Sequence, residues 1–145
     1  MKLSEKQIDR YSRQIILKKI GTIGQKKLLK SSVLIVGAGG LGSPIAIYLA
    51  ALGIGKIGII DKDKIEVSNL ARQIIFTTND VNKPKSSTAI SKLRKINPYI
   101  KLKSFNKKLT AKNISSIAKK FDLLIDGSDN FRTRFLINDY CLKNK

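Results

Sequence analysis

The chain has 145 residues, 42% hydrophobic and 27% charged, the profile of one ordinary globular domain with room for a real core. One cysteine and no histidine exclude a disulfide framework, the usual zinc sites and any histidine-based catalysis. The formal charge of +19 invites a nucleic-acid reading, but the basic residues are mostly lysines spread along the whole chain without interleaved arginine and aromatic residues, so solvated surface is the favoured account and a nucleic-acid partner is not expected.

No apolar run approaches the ~20 residues needed to span a bilayer, and the opening MKLSEKQIDRYSRQ lacks the apolar stretch of a signal peptide, so no membrane role and a cytoplasmic location are expected. Helical spacing of Ile8, Tyr11, Ile15, Ile16 and Ile20 predicts a helix over 4–20, with Ser4 and Gln7 placed for a capping box. A short helix is expected over 24–30. Ser32 to Val36 (SVLIV) reads as a buried parallel strand, followed by a helix over 41–52 with Pro44 tolerated in its first turn. Lys56 to Ile60 is the next strand. The stretch 61–80 is irregular, with one helical turn expected at 71–75.

Pro84 then opens a helix that Asn97-Pro98 stops. A strand over 100–105, a helix over 111–120, a buried strand over 121–125 and a helix from Phe131 complete the pattern. Strands and helices alternate, which implies α/β architecture: a Rossmann-like, doubly wound parallel sheet over 32–145, preceded by a helical extension over 1–31.

Two features carry chemistry. Gly37-Ala38-Gly39-Gly40-Leu41-Gly42 follows a strand and opens a helix. Glycines there allow a tight turn and close backbone approach, and the helix start offers free N–H groups to phosphate. Asp61 ends the next strand, about 20 residues on, where an acidic side chain meets ribose hydroxyls. These residues point to a nucleotide without saying which one. The second feature is a set of polar residues in loops that follow strands: Ser68, Asn69, Arg72 and Lys85, then Asp129 and Asn130 in DGSDN. In such a sheet those loops converge on one crevice. Two cations and one carboxylate suit a triphosphate with magnesium, the carboxylate holding the metal.

RYSRQIIL, GAGGLGSP, IIDKDKIEVSNLARQ and DGSDN together resemble the ThiF/MoeB/HesA family, adenylating enzymes related to those that activate ubiquitin. The resemblance implies ATP-dependent adenylation of the C-terminal carboxylate of a small ubiquitin-like sulfur-carrier protein, giving an acyl-adenylate and pyrophosphate. It implies that Gly40 lies against the nucleotide, Asp61 holds the ribose, Asn69, Arg72 and Lys85 contact phosphates, and Asp129 holds magnesium. Arg13 resembles an arginine that reaches the phosphates of the other protomer of a homodimer; a local ion pair with Asp9 is its plain alternative, as capping of the last helix is for Asp129. Members of the family run on for about another half domain, so cover from a missing C-terminal half, or from a second copy, is expected. Cys141 is read as a packed apolar residue. Two other readings stay open: a remnant that at most binds ATP, and an NAD-dependent oxidoreductase, which leaves Ser68–Gln73 and Asp129 without a task. A family member acting on tRNA, which a basic surface would help, is a minor variant because RYSRQIIL resembles the carrier-activating branch.

Overall fold

The computed structural model describes residues 2–144. The first helix, α1 (Glu5–Ile15), is closed by Ser4, whose hydroxyl accepts from Gln7 N–H at 3.3 Å while the Gln7 side chain accepts from Ser4 N–H at 3.0 Å. It stops at Ile15 instead of Ile20. The chain turns through 16–20 and enters α2 (Gly21–Lys30) at a glycine with φ of 56°, earlier than the expected Gly24. Ile16 and Leu17 are exposed, so no burial holds the apolar stripe in one continuous helix.

From there the chain alternates as expected: β1 (Ser32–Val36), α3 (Gly42–Leu52), β2 (Lys56–Ile60), α4 (Lys85–Ile96), β3 (Lys101–Phe105), α5 (Ile114–Ala118), β4 (Leu123–Asp126) and α6 (Phe131–Lys143). Between β2 and α4 the structure departs from the sequence reading. The helical turn expected at 71–75 is not helical; the 3-10 turns lie at Val67–Asn69 and Thr78–Asp80. Both are capped from their own third residue, Asn69 accepting from Glu66 N–H and Asp80 from Thr77 N–H, which sequence spacing alone does not favour over 71–75. The helix expected over 111–120 is likewise confined to α5.

The four strands are all parallel, in the order β3-β2-β1-β4. Side chains alternate across the sheet. Val33, Ile35, Ile57 and Ile59 pack with α3 and α4 on one face; Leu34, Val36 and Ile60 pack with Phe121, α5 and α6 on the other. Gly58 belongs to the second face, and Phe121 fills the space where its side chain would stand: a Cβ would come 2.5 Å from the ring. Phe121 therefore packs ahead of β4 instead of starting it, while the carboxylate of Asp122 accepts from Ser32 N–H at 2.8 Å and Ser32 Oγ at 2.7 Å. The expectation that this last strand is buried does not hold. It is an edge strand, and Leu123 is 54% exposed. Cys141 is exposed too, because α6 turns Thr133, Ile137 and Tyr140 toward the core.

Asn97 ties the layers together. Fully buried at the end of α4, it donates to Tyr11 Oη at 2.9 Å and to the Ala50 carbonyl at 2.8 Å, linking α1, α3 and α4. Asp80 anchors the segment before α4. Burial raises its carboxyl, but the hydrogen bond from Lys92, the Thr77 hydroxyl and the Thr77 N–H outweigh burial and bring it down from 3.8 to about 2.

Asn97→Ala should lower stability by about 1–3 kcal/mol, since it orphans a buried carbonyl and hydroxyl. Tyr11→Phe, which removes one partner only, should cost less; urea unfolding of both variants checks the order. Asp80, depressed in the folded state, stabilises at pH above its ordinary 3.8 and loses that contribution as pH falls toward about 2. Asp80→Asn should therefore flatten the dependence of the unfolding midpoint on pH across that window.

Candidate functional site

The site is built where the sheet changes direction. The chain goes from β1 outward to β2 and β3, then crosses back to place β4 on the other side of β1, so the loops leaving β1 and β4 separate at their carboxyl ends and leave a crevice. Gly37 begins the β1 loop at φ 94°, donating to the Ile60 carbonyl at 2.8 Å, while Gly127 N–H donates to the Val36 carbonyl at 2.8 Å. These two glycines abut: a Cβ on Gly37 would lie 2.8 Å from the Gly127 oxygen. Gly42, the first residue of α3, is pressed so close to the Gly37 carbonyl that any Cβ would collide with it. Gly42 thus closes the turn and is absent from the crevice lining, unlike Gly37, Gly39 and Gly40.

The crevice has a volume of about 970 Å³ and is lined by seven basic side chains and four carboxylates. Asp61 stands at its floor. Its carboxylate accepts from Ala38 N–H at 2.8 Å and from Asp63 N–H at 2.8 Å, holding the glycine turn and its own loop, and leaves about two of four lone-pair positions free. Arg72 lines the same space. Its methylenes lie where a Gly40 Cβ would contact them at 3.4 Å, and its Nη1 donates to the Ser68 carbonyl at 3.1 Å. Ser68 itself lies outside the lining and serves as this bracket. Asn69 is buried and spends its side-chain oxygen on Glu66 N–H at 3.2 Å.

Lys85 is 7% exposed and starts α4, its N–H donating to the Asp63 carbonyl at 2.9 Å. Among the described residues no carboxylate forms an ion pair with it. A buried ammonium without a counter-ion is costly, so the crevice favours an anion. On the opposite wall Asn130 caps α6, its oxygen accepting from Thr133 N–H at 3.0 Å and Thr133 Oγ1 at 2.9 Å. The capping task considered for Asp129 therefore falls to its neighbour. The Asp129 carboxylate is exposed at the rim, bonded only to the Asn130 amide at 3.3 Å among the described residues. Arg13 lies on exposed α1 outside the lining, and no ion pair with Asp9 forms.

The structure also brings in residues the sequence reading passed over. Lys107 and Lys108 arrive on the loop after β3, and Arg134 from the first turns of α6, with its Nη2 donating to the Ser128 carbonyl at 3.3 Å. Lys107 and Lys108 were discoverable from the rule that loops after strands converge. Arg134 depends on how α6 docks.

Comparison with known proteins identifies the family. The ThiF family pattern covers residues 11–145. The chain belongs to the ThiF family. It is 45% identical over 96% of its length to a sulfur carrier protein adenylyltransferase of Thermus thermophilus, 51% of which it covers. It is 51% identical over 92% of its length to a probable molybdopterin-synthase adenylyltransferase of Porphyra purpurea, covering 35% of it. The chain thus spans about half or less of these relatives. Among solved structures, E. coli tRNA N6-threonylcarbamoyladenosine dehydratase in complex with ATP superimposes with a TM-score of 0.92 at 28% identity, over 99% of this chain and 59% of that one. E. coli MccB with AMPCPP and MccA gives 0.86 at 30% identity, over 98% and 42%. Family membership displaces the oxidoreductase reading. Among the described residues no helix is long and apolar enough to cross a membrane, and no group of three or more metal-ligating side chains forms.

Two glycine variants separate fold from site. Gly42→Ala should cost about 3 kcal/mol or more, because backbone must move to admit the methyl group. At Gly39 a Cβ meets no atom, so Gly39→Ala should stay within about 0.5 kcal/mol of the parent. Paired thermal unfolding curves check both.

Proposed function

We propose that this crevice binds ATP and directs the C-terminal carboxylate of a small ubiquitin-like sulfur-carrier protein onto its α-phosphorus. The observation that carries the reading is the buried Lys85, without a counter-ion among the described residues, in one crevice with Arg72 and the rim carboxylate of Asp129. A dinucleotide has no need of that set. The relatives supply the reaction class, since the two most informative are named adenylyltransferases, one for a sulfur carrier protein.

In this reading the free lone pairs of Asp61 accept from the ribose hydroxyls, and the glycine turn lets the phosphates approach backbone N–H groups. Lys85, Arg72 and Asn69 meet phosphate oxygens. A carboxylate oxygen of the carrier donates an electron pair to the α-phosphorus, and the bond from that phosphorus to the bridging oxygen breaks with its electrons leaving on pyrophosphate. No proton need move and nothing is oxidised, so the chain has little acid–base work to do. Its part is to hold the two reactants in line and to neutralise charge that builds on the phosphate oxygens. That division of labour fits a site with cations and no histidine. Magnesium usually engages one or two carboxylates plus phosphates, which the single rim carboxylate of Asp129 suits; when bound it would offset charge across the leaving group. Arg13, exposed on α1, is available to reach the site of a second copy in a homodimer.

A tRNA substrate is the second reading, favoured by the dehydratase likeness. The carrier reading is preferred because relatives of 45% and 51% identity carry adenylyltransferase names, against 28% for the dehydratase.

Isotope exchange between pyrophosphate and ATP should appear only when a carrier protein with a free C-terminal carboxylate is added. Complete absence of exchange with the thiamine-type and molybdopterin-type carriers would leave the remnant reading standing. Asp129→Ala should abolish magnesium-dependent turnover at an unchanged unfolding midpoint. Arg72→Ala and Lys85→Ala should weaken ATP by about tenfold or more, about 1.4 kcal/mol, and AMP far less; equal losses for the two nucleotides would remove both residues from the phosphates.

A further inference from the structure

The loop after β4 carries two carboxylates, and the structure gives them opposite surroundings. Asp129 stands in the crevice lining, and its one side-chain bond among the described residues is to the amide of its neighbour Asn130, at 3.3 Å. A bond to the next side chain moves with the loop, so it does not place the carboxylate against the opposite wall. The Asp129 backbone has no hydrogen bond of its own among the described residues. Its position is therefore decided by the residues on either side.

Gly127 is held to β1 through the Val36 carbonyl, and Asn130 caps α6. Between them Ser128 is tied down by Asp126, the last residue of β4, which lies outside the crevice lining. Asp126 Oδ1 accepts from Ser128 N–H at 2.9 Å and from Ser128 Oγ at 2.6 Å. Its Oδ2 faces Nε of Arg134 at 3.9 Å, and Nη2 of Arg134 donates to the Ser128 carbonyl at 3.3 Å. Ser128 is thus held at its N–H, its hydroxyl and its carbonyl, next to the rim carboxylate. The charge on Asp126 strengthens both bonds from Ser128 and steadies the arginine that completes the brace.

We propose that Asp126 is a positioning residue for Asp129, holding the loop through Ser128 and Arg134 so that the rim carboxylate meets magnesium on the nucleotide's phosphates. The proposal rests on the nucleotide and magnesium reading above and deepens it. Groups that orient a metal's ligands change its affinity by about 10–100-fold when removed.

The test is calorimetric titration of ATP, with excess magnesium and with EDTA, alongside unfolding midpoints of the ligand-free proteins. The quantity compared is the gain in ATP affinity that magnesium brings. Asp126→Ala should lose about tenfold of that gain and stay within roughly twofold of the parent in EDTA. Asp126→Asn keeps an oxygen for Ser128 and should recover most of it. In an Asp129→Ala background, Asp126→Ala should remove nothing further, because its effect passes through that carboxylate. Should Asp126→Ala fail to fold, Ser128→Ala, which removes only the hydroxyl bond, should lose part of the gain, and a full gain there overturns the proposal. An unchanged gain in Asp126→Ala overturns it too. So do equal losses with and without metal, which mark a structural role, and additive losses in the double variant. A full gain in Asp129→Ala overturns the magnesium reading and this proposal with it, and failure of the parent chain to bind ATP overturns the nucleotide reading as well.

Discussion

The Asp61 carboxylate joins the two loops on which the crevice is built. One oxygen takes the N–H of Ala38 in the glycine turn after β1; the other takes the N–H of Asp63 after β2. That clamp sets the distance between the turn and the β2 loop, and the β2 loop in turn sets Lys85, whose N–H is held by the Asp63 carbonyl. The turn itself has no freedom to adjust. Gly37 lies against Gly127 and Gly42 against the Gly37 carbonyl, so three glycines convert a flexible composition into a single backbone path. Removal of the Asp61 carboxylate would leave two N–H groups unpaired at the floor of the crevice.

Around that clamp the molecule accepts local instability. Lys85, with little exposure, has no acidic partner among the described residues. That state is unfavourable in the free protein, and it is offset by a core packed on both faces of the sheet. Several polar groups that join elements away from the crevice are paired: Asp122 with Ser32, Asp80 with Thr77 and Lys92, Asn97 with Tyr11 and Ala50. A little-exposed lysine at the crevice wall, with no carboxylate paired to it among the described residues, suits that wall to an anion.

Much of this was legible in the residues alone, and for identifiable reasons. Alternating apolar runs gave all four strands and the parallel sheet, because a buried strand needs a β-branched stretch and a βα turn needs glycine whatever surrounds it. Ser4 and Gln7 announced the start of α1, and Pro84 the start of α4, since capping is decided within one turn. Where the reading slipped, the deciding contact was distant. Helix α1 ends early because Ile16 and Leu17 find nothing to pack on. Phe121 leaves β4 because Gly58, on another strand, makes room for its ring. Cys141 faces solvent because α6 turns Tyr140 inward.

The candidate site divides the same way. Residue order established which side chains follow strands, and hence that Asp61, Arg72, Lys85 and Asp129 belong to loops at one end of a parallel sheet. Such information is local and periodic, and it survives without coordinates. Their division of labour did not follow from order. That Asn130 caps α6 and spares Asp129, and that Ser68 braces Arg72 from outside the crevice, both depend on how segments dock across the β1–β4 switch point. Those distances are set by packing between segments far apart in the chain, and no pattern of neighbouring residues encodes them.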